Sequence, residues 1–277
     1  MATEAGRPGE LVGGVFAPNA PNMIDPSVLG LGGQATVDRL RQLGVEDRLR
    51  PDVILVSSPH WVSRGPFLVD PSPRPRFIED YTGFPPQMYG HTYAPPGDPG
   101  LARRIVETAS RLGLAAELSD RWGLDHGAWT ALAALAPSAS IPVVPMSITR
   151  AAPEEHMAWG RALAAAVGSS GKRAYLVGTG LVLHNFARLS MDPAAPPWAE
   201  GIAIEREILD LIERGDAAGV ARFDRRKWRE VEPEGDLAPY FVLAGALGGS
   251  FQAHVVGIER SFGSAGLAVI DFRPRPA

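Results

Sequence analysis

One short apolar run constrains the fold more than any other feature of this sequence. Residues 53–56 read Val-Ile-Leu-Val and lie between Pro51-Asp52 and a Ser-Ser-Pro segment at 57–59. An apolar run of this length between breakers is typical of a strand buried on both faces, as in parallel sheets. Ligands of open α/β sheets bind beyond the carboxyl ends of the strands. His60, directly after this run, is therefore a candidate functional residue.

Strand and helix patterns alternate along the whole chain, which predicts one α/β domain. We expect a mostly parallel mixed sheet flanked by helices on both faces, with the last two strands antiparallel. The domain is predicted over residues 11–277, after a disordered tail over residues 1–10. Strands are predicted over residues 11–17, 53–57, 115–118, 141–148, 172–180, 251–258 and 265–272. Helices are predicted over residues 33–43, 98–113, 153–167, 198–214 and 232–247, and a further helix of small residues follows Trp122-Gly-Leu-Asp-His-Gly127 and runs through Leu135.

Residues 63–97 form the least regular part of the sequence, rich in proline and interleaved with aromatic residues. Disordered segments are usually poor in aromatics, so the pattern favours an ordered excursion or lid. Two roles stay open for these aromatic side chains, namely packing within the lid and stacking against a substrate.

The charge and composition of the chain argue against some classes of binding partner and of functional site. The net charge is -4, the pI is about 5.9, and no run of Lys or Arg occurs, which argues against a nucleic-acid surface. The chain has no cysteine, hence no thiolate metal site and no cysteine nucleophile. Neither an apolar signal core near the N-terminus nor a membrane-spanning stretch is visible. We expect a cytoplasmic protein that binds neither nucleic acid nor membrane.

Three of the six histidines follow strand or loop signals beside turn-forming residues, namely His60, His126 and His184. If they converge on one pocket with a carboxylate, they would form either a metal site or an acid/base cluster. His156 and His254 lie inside a predicted helix and strand, and we expect both at the surface or an edge. Gly178-Thr-Gly180 is too short for a dinucleotide fingerprint, and no nucleophile elbow, His-Glu-x-x-His helix or phosphate loop is present.

Five short motifs occur in a fixed order across residues 12–272. They are Ala17-Pro-Asn-Ala-Pro21, Pro59-His60-Trp61, Leu124-Asp-His-Gly127, Gly178-Thr-Gly180 with His184 after it, and Pro233-Glu-Gly235. In this combination the chain resembles the class III extradiol ring-cleaving dioxygenases, of the protocatechuate 4,5-dioxygenase and 2-aminophenol 1,6-dioxygenase type.

The resemblance implies a non-haem Fe(II) held by two histidines and one glutamate, with positions left open for other ligands. A catechol- or aminophenol-type substrate would chelate the iron beside O2, and a ring C–C bond would be cleaved. By resemblance, His60 and Glu234 are iron ligands and His184 is the acid/base histidine. His126 corresponds to a further histidine that contacts substrate or oxygen.

One position departs from the family pattern, because Asn19 stands where a His-x-Pro iron ligand is expected. Three interpretations stay open. Asn19 ligates weakly through its carbonyl oxygen, His91 from the excursion supplies the missing ligand, or the chain is a non-catalytic, metal-poor homologue or partner subunit. Different chemistry on the same scaffold is a further alternative.

The resemblance also implies protein partners, beside the small aromatic substrate and O2. It implies a homo-oligomer or a hetero-oligomer with a paralogous subunit. Three arginines near predicted loops are candidates for pairing with a substrate carboxylate, and nothing in the sequence selects among Arg64, Arg121 and Arg150.

Overall fold

Eight strands form one mixed sheet in the computed structural model, which describes residues 7–276. The strands are β1 (Glu10–Ala17), β2 (Val53–Ser63), β3 (Phe67–Val69), β4 (Ala116–Leu118), β5 (Val143–Thr149), β6 (Arg173–Thr179), β7 (Phe251–Ser261) and β8 (Ala265–Pro274). Their order is β4-β3-β5-β2-β6-β1-β8-β7. The four central strands β5, β2, β6 and β1 are parallel, while β8 pairs antiparallel with β1 and with β7.

Helices cover both faces of this sheet, as the sequence predicts. They are α1 (Pro26–Leu29), α2 (Gln34–Gln42), α3 (Pro99–Arg111), α4 (His126–Leu135), α5 (Pro153–Gly168), α6 (Ala199–Glu213), α7 (Ala217–Ala221), α8 (Arg225–Val231) and α9 (Ala238–Leu247). None of the helices within residues 7–276 has both the length and the apolar character needed to cross a membrane.

Two apolar cores lie on opposite faces of the sheet. On one face, α3, α5, α6 and α9 bury side chains such as Trp159 and Phe241 against the strands. On the other face, α2 and α4 bury Leu40 and Trp129 together with part of the 63–97 excursion. The central strands are buried on both sides, which explains their continuous apolar runs. The predicted single α/β domain is confirmed.

Several predicted boundaries need correction. The strand predicted to end at Ser57 continues to Ser63, because a bulge between Ser57 and Val62 interrupts its pairing with β5 without ending it. The helix predicted from residue 232 begins only at Ala238. Most of the predicted disordered tail, residues 1–6, lies outside the described residues, and β1 begins at Glu10.

His156 was expected at the surface, and this prediction is wrong. Its side chain is only 2% exposed. Nε2 accepts a hydrogen bond from the backbone N–H of Thr149 at 3.3 Å, and Nδ1 lies 3.2 Å from the carbonyl of Ala152. The sequence around His156 gave no sign of burial, because the contact is made across the turn between β5 and α5. His254 is half-buried in the edge strand β7.

Two glycines allow α5 and α9 to pack backbone against backbone. A Cβ at Gly160 would lie 2.1 Å from the carbonyl oxygen of Val242, and a Cβ at Gly245 would lie 2.1 Å from that of Met157. Neither neighbour is a flexible side chain that could move aside. This contact matters to the candidate site, because α9 follows directly on the Glu234 segment.

We expect Gly160→Ala to destabilise the fold by about 1–3 kcal/mol, because the new methyl group overlaps the α9 backbone. Urea unfolding at constant pH measures the change. Gly168→Ala is the matched control on the same helix, since nothing lies within 4 Å of its Cβ position. Equal stability of both variants would show that the helices do not pack this closely.

Burial of His156 predicts a pH dependence. Desolvation lowers its pKa from the ordinary value of 6.5. As the pH falls, His156 is therefore protonated in the unfolded chain before it is protonated in the folded protein. Its contribution to the unfolding free energy is full above about pH 6.5 and decreases at lower pH. As the pH is lowered from about 8 to about 5.5, the unfolding free energy of wild type should approach that of His156→Gln. A difference that stays constant over this range would contradict the prediction.

Candidate active site

A cavity of about 850 Å³ opens at the carboxyl ends of β1, β2 and β6. Five sequence-predicted residues line it together, namely Asn19, His60, His126, His184 and Glu234. They come from five separate parts of the chain. The parallel arrangement brings them together because strands of one direction end at the same edge of the sheet.

The bulge in β2 places His60 in this cavity. The Ser58 hydroxyl within the bulge donates to Asp125 Oδ1 at 2.6 Å and accepts the backbone N–H of His60 at 3.2 Å. Asp125 also caps α4 by accepting the N–H of Ala128 at 3.0 Å. The bulge and the start of α4 are thus tied to one buried carboxylate, which sets the rings of His60 and His126 with centroids 4.5 Å apart.

His60, Glu234 and Asn19 form one connected group. Nε2 of His60 lies 2.9 Å from Glu234 Oε1, and the amide nitrogen of Asn19 lies 3.1 Å from the same oxygen. Asn19 is 2% exposed, two residues beyond the end of β1. The other carboxylate oxygen of Glu234, Oε2, is buried and has no hydrogen-bond partner among the described residues.

Glu234 is presented by an unusual turn. The next three residues, Gly235, Asp236 and Leu237, all have left-handed backbone angles with φ between 51° and 56°. Such angles cost about 1–2 kcal/mol for a non-glycine residue. The Trp228 indole N–H donates to Asp236 Oδ1 at 3.0 Å, and the Glu234 N–H donates to the Leu181 carbonyl at 2.9 Å. Sequence reasoning missed this turn and predicted an ordinary helix start.

Asp80, from the 63–97 excursion, is a site residue that the sequence did not reveal. Its Oδ2 lies 3.0 Å from Nδ1 of His60, and its Oδ1 lies 2.7 Å from Nδ1 of His126. Candidate ligand atoms of these three side chains lie within 4.8 Å of one another, a spacing that could hold a metal ion. No spacing rule marks Asp80 in the sequence, apart from its place in an ordered, aromatic-rich segment.

His184 lies in the loop after β6, on the Glu234 side of the cavity. Its backbone N–H donates to the carbonyl of Val231 at 2.8 Å. Its ring meets that of Phe186 edge-on, with centroids 4.5 Å apart. The side chain of Phe186 is 70% exposed at the mouth of the cavity, so the loop leaves one face of the site open.

Opposite charges shift the titration of the connected group. Burial lowers the pKa of His60, but hydrogen bonds to Asp80 and Glu234 outweigh it and raise that pKa from 6.5 to about 10. Burial raises the pKa of Glu234, but His60 and His184 outweigh it, so that pKa lies below its ordinary value. Without a metal, a proton on His60 Nε2 therefore joins it to the Glu234 carboxylate.

Other candidates lie elsewhere. His91 lines a separate cavity of about 130 Å³, where its ring stacks near Trp129 with centroids 6.4 Å apart. The structure therefore does not bring His91 to the group around His60. Arg64, Arg121 and Arg150 are exposed, and none of them is among the residues that line the main cavity.

Comparison with known proteins identifies a protein family that matches most of the chain. Residues 34–269 match the family described as the catalytic LigB subunit of aromatic ring-opening dioxygenase. This span includes His60, Asp80, His126 and the later site residues, whereas Asn19 precedes it.

Two relatives and one solved structure illustrate the similarity. The 4,5-DOPA dioxygenase extradiol of Escherichia coli strain K12 is 37% identical over 153 residues, which is 54% of this chain and 55% of that protein. The 4,5-DOPA dioxygenase extradiol of Portulaca grandiflora is 28% identical over 235 residues, 81% of this chain and 83% of that protein. The crystal structure of an uncharacterized Escherichia coli K12 protein shares the fold, with a TM-score of 0.71, 23% identity, and coverage of 94% and 99%.

We expect Gly235→Ala to destabilise the protein by about 2–4 kcal/mol, by adding left-handed strain to a steric overlap. Its Cβ would lie 2.9 Å from the Pro59 Cβ, next to His60. Urea unfolding measures the loss. Gly65→Ala is the control beside β2, because nothing lies within 4 Å of its Cβ position. If Gly235→Ala were as stable as this control, the turn would not be held in the left-handed conformation.

Proposed function

The chain belongs to the family of catalytic LigB subunits of aromatic ring-opening dioxygenases, and on this premise we propose that it is an Fe(II)-dependent extradiol dioxygenase. Its substrate would be a small catechol- or aminophenol-type aromatic compound, with O2 as the second substrate. The predicted family resemblance is confirmed. The proposed activity rests on one observation above all, the joint presence of His60, Glu234 and two further histidines around one cavity.

The donor atoms fit a divalent cation. Glu234 Oε2 is buried and has no hydrogen-bond partner in the described part of the chain, and such an anionic oxygen is costly unless a proton or a cation satisfies it. Nε2 of His60 and Oε1 of Glu234 are 2.9 Å apart, close enough for both to bind one ion. One imidazole nitrogen with carboxylate oxygen suits Fe(II), and the open side of the cavity would leave room for other ligands.

Asn19 is the third candidate donor. Its amide lies beside Glu234, and a half-turn about the last side-chain bond would exchange its nitrogen for its carbonyl oxygen. In that orientation it would offer a neutral oxygen ligand where the family resemblance implies an imidazole. We propose that Asn19 ligates weakly and that His91 takes no part, since His91 lies in a different cavity.

Bound at these residues, Fe(II) would supply a binding site for the two adjacent substituents of the substrate ring (two oxygens in a catechol, an oxygen and a nitrogen in an aminophenol) and for O2, together with the redox chemistry of the reaction. The protein would supply the proton transfers. His184, which lines the open side of the cavity, would take a proton from the substrate hydroxyl and return it later. His126 uses Nδ1 to contact Asp80, which leaves Nε2 as the nitrogen available to the substrate or oxygen.

The cavity wall is suited to an aromatic ring. Much of the lining beyond the histidines is aromatic or aliphatic, namely Tyr81, Phe84, Leu181, Phe186, Leu189 and Phe262. These side chains favour a planar apolar ring through offset or edge-on contacts. Tyr81 of the excursion is buried and also lines the cavity, which supports both of the roles left open by the sequence, packing within the lid and stacking against a substrate.

A non-catalytic, metal-poor homologue is the second candidate, and Asn19 is the observation that favours it. Both candidates retain the fold, but they differ in metal binding. Oligomerisation, either of identical chains or with a paralogous subunit, stays a prediction that analytical ultracentrifugation can test.

The first test is Fe(II) loading of the metal-free protein without oxygen, followed by measurement of O2 uptake with a panel of catechols and aminophenols. We expect one bound iron per chain and ring cleavage of at least one compound. If the chain binds no iron after loading and takes up no O2 with any compound of the panel, the dioxygenase proposal is overturned. Activity that appears only after a paralogous subunit is added would support the second candidate.

Asn19→His tests the ligand position. Imidazole is a stronger donor to Fe(II) than an amide oxygen, so the affinity for iron should rise. His91→Ala is the control and should leave iron affinity unchanged. Iron binding lost in His91→Ala but unaltered in Asn19→His would reverse the assignment of the third ligand.

A further inference from the structure

Asp80 lies between two histidines of the site and contacts both through different oxygens. Oδ2 lies 3.0 Å from Nδ1 of His60, and Oδ1 lies 2.7 Å from Nδ1 of His126. Oδ1 also accepts the backbone N–H of His126 at 2.7 Å. The Asp80 side chain is one-fifth exposed, so the contacts are made largely away from water.

The direction of these hydrogen bonds fixes where the ring protons lie. An ionised carboxylate has acceptors only, so each Nδ1 must carry a proton to donate. The Nε2 atoms are then the nitrogens that remain for ligands or for proton transfer. For His60, this atom faces Glu234 at 2.9 Å.

We propose that Asp80 is a positioning residue that sets the tautomer and ring orientation of His60 and His126 together. One carboxylate thereby prepares a metal-binding nitrogen on His60 and a substrate-facing nitrogen on His126. The part of the proposal that concerns metal binding rests on the proposed function, whereas the part that concerns ring protons does not. Histidine ligands of metals commonly donate their second ring N–H to a carboxylate in this way.

The same three side chains could instead be metal ligands themselves, since their candidate atoms lie within 4.8 Å of one another. Two observations favour positioning. Oδ1 of Asp80 is already occupied by two donors, one of them a backbone N–H that cannot leave without moving the start of α4. Within residues 7–276, Glu234 Oε2 is a buried oxygen without a hydrogen-bond partner, and it belongs to the carboxylate on the Nε2 side of His60.

Asp80→Asn separates the two histidines. Asparagine has only one acceptor oxygen, and the backbone N–H and Nδ1–H of His126 favour it on their side. The amide NH2 then faces Nδ1 of His60, which must accept. His60 then keeps only the proton on Nε2 that it shares with Glu234, and in this tautomer Nε2 cannot bind a cation.

The matched control is Glu79→Gln, which removes a carboxylate from the neighbouring residue. Glu79 accepts a hydrogen bond from the N–H of Gly90 at 2.9 Å, and the side-chain oxygen of glutamine can accept the same bond. Glu79 makes no hydrogen bond to His60 or His126. Both variants remove one negative charge from the same segment. A difference between them therefore reports the contacts of Asp80 and not the local charge.

The first readout needs no metal and no activity. Long-range 1H–15N NMR of the histidine rings in metal-free protein should show a protonated Nδ1 on both His60 and His126 in wild type and in Glu79→Gln. In Asp80→Asn, Nδ1 of His60 should lose its proton. If both Nδ1 atoms remain protonated in Asp80→Asn, or if either lacks a proton in wild type, the proposal fails.

The second readout is titration with Co(II), whose visible spectrum reports its ligands. Asp80→Asn should bind Co(II) about 10- to 100-fold more weakly, while the band positions at saturation stay those of wild type. Shifted bands at saturation would make Asp80 a ligand, and unchanged affinity would remove its positioning role. If wild type itself binds no Co(II), the proposed metal function fails, and the NMR result still decides the role of Asp80.

Discussion

The buried carboxylate of Asp125 is the interaction on which the site geometry depends. It accepts the Ser58 hydroxyl and the Trp122 indole N–H, both at 2.6 Å, and the N–H of Ala128 in the first turn of α4. Burial raises the pKa of Asp125, whereas nearby His60 and the bonds to Ser58 and Trp122 oppose that shift. One acid thus joins the β2 bulge, a loop and a helix, and loss of any partner would leave a buried polar group unsatisfied.

The order of the strands explains why side chains so distant in sequence meet. The β1, β2 and β6 strands lie side by side and run in the same direction, so the segments that follow them share one edge. Asn19 and His184 enter from loops, His60 from a bulge, and Glu234 from a turn before α9. The close packing of α5 on α9 through Gly160 and Gly245 limits how far that turn can move.

The sequence predicted the fold class and most elements correctly, because strands buried on both faces and helices with clear ends leave strong local patterns. Asp98, for example, caps α3 through the N–H of Leu101 at 3.0 Å. Features set by side-chain contacts across turns or between distant segments were missed. The β2 bulge depends on Asp125, the burial of His156 depends on Thr149, and Asp80 gains its role only where the excursion folds back on α4. Motifs placed His60 and Glu234 by resemblance, but the left-handed turn that presents Glu234 has no motif.

That turn has a consequence for how the protein can change. Asp236 and Leu237 adopt a backbone conformation of the opposite hand to the one L-residues prefer, and glycine would adopt it with far less strain. Glycine at either position would, however, also free the backbone beside Glu234 and, at 236, remove the anchor to Trp228. Relief of backbone strain and a rigidly held carboxylate therefore require different residues at these two positions, and Asp236 and Leu237 favour the rigidly held carboxylate.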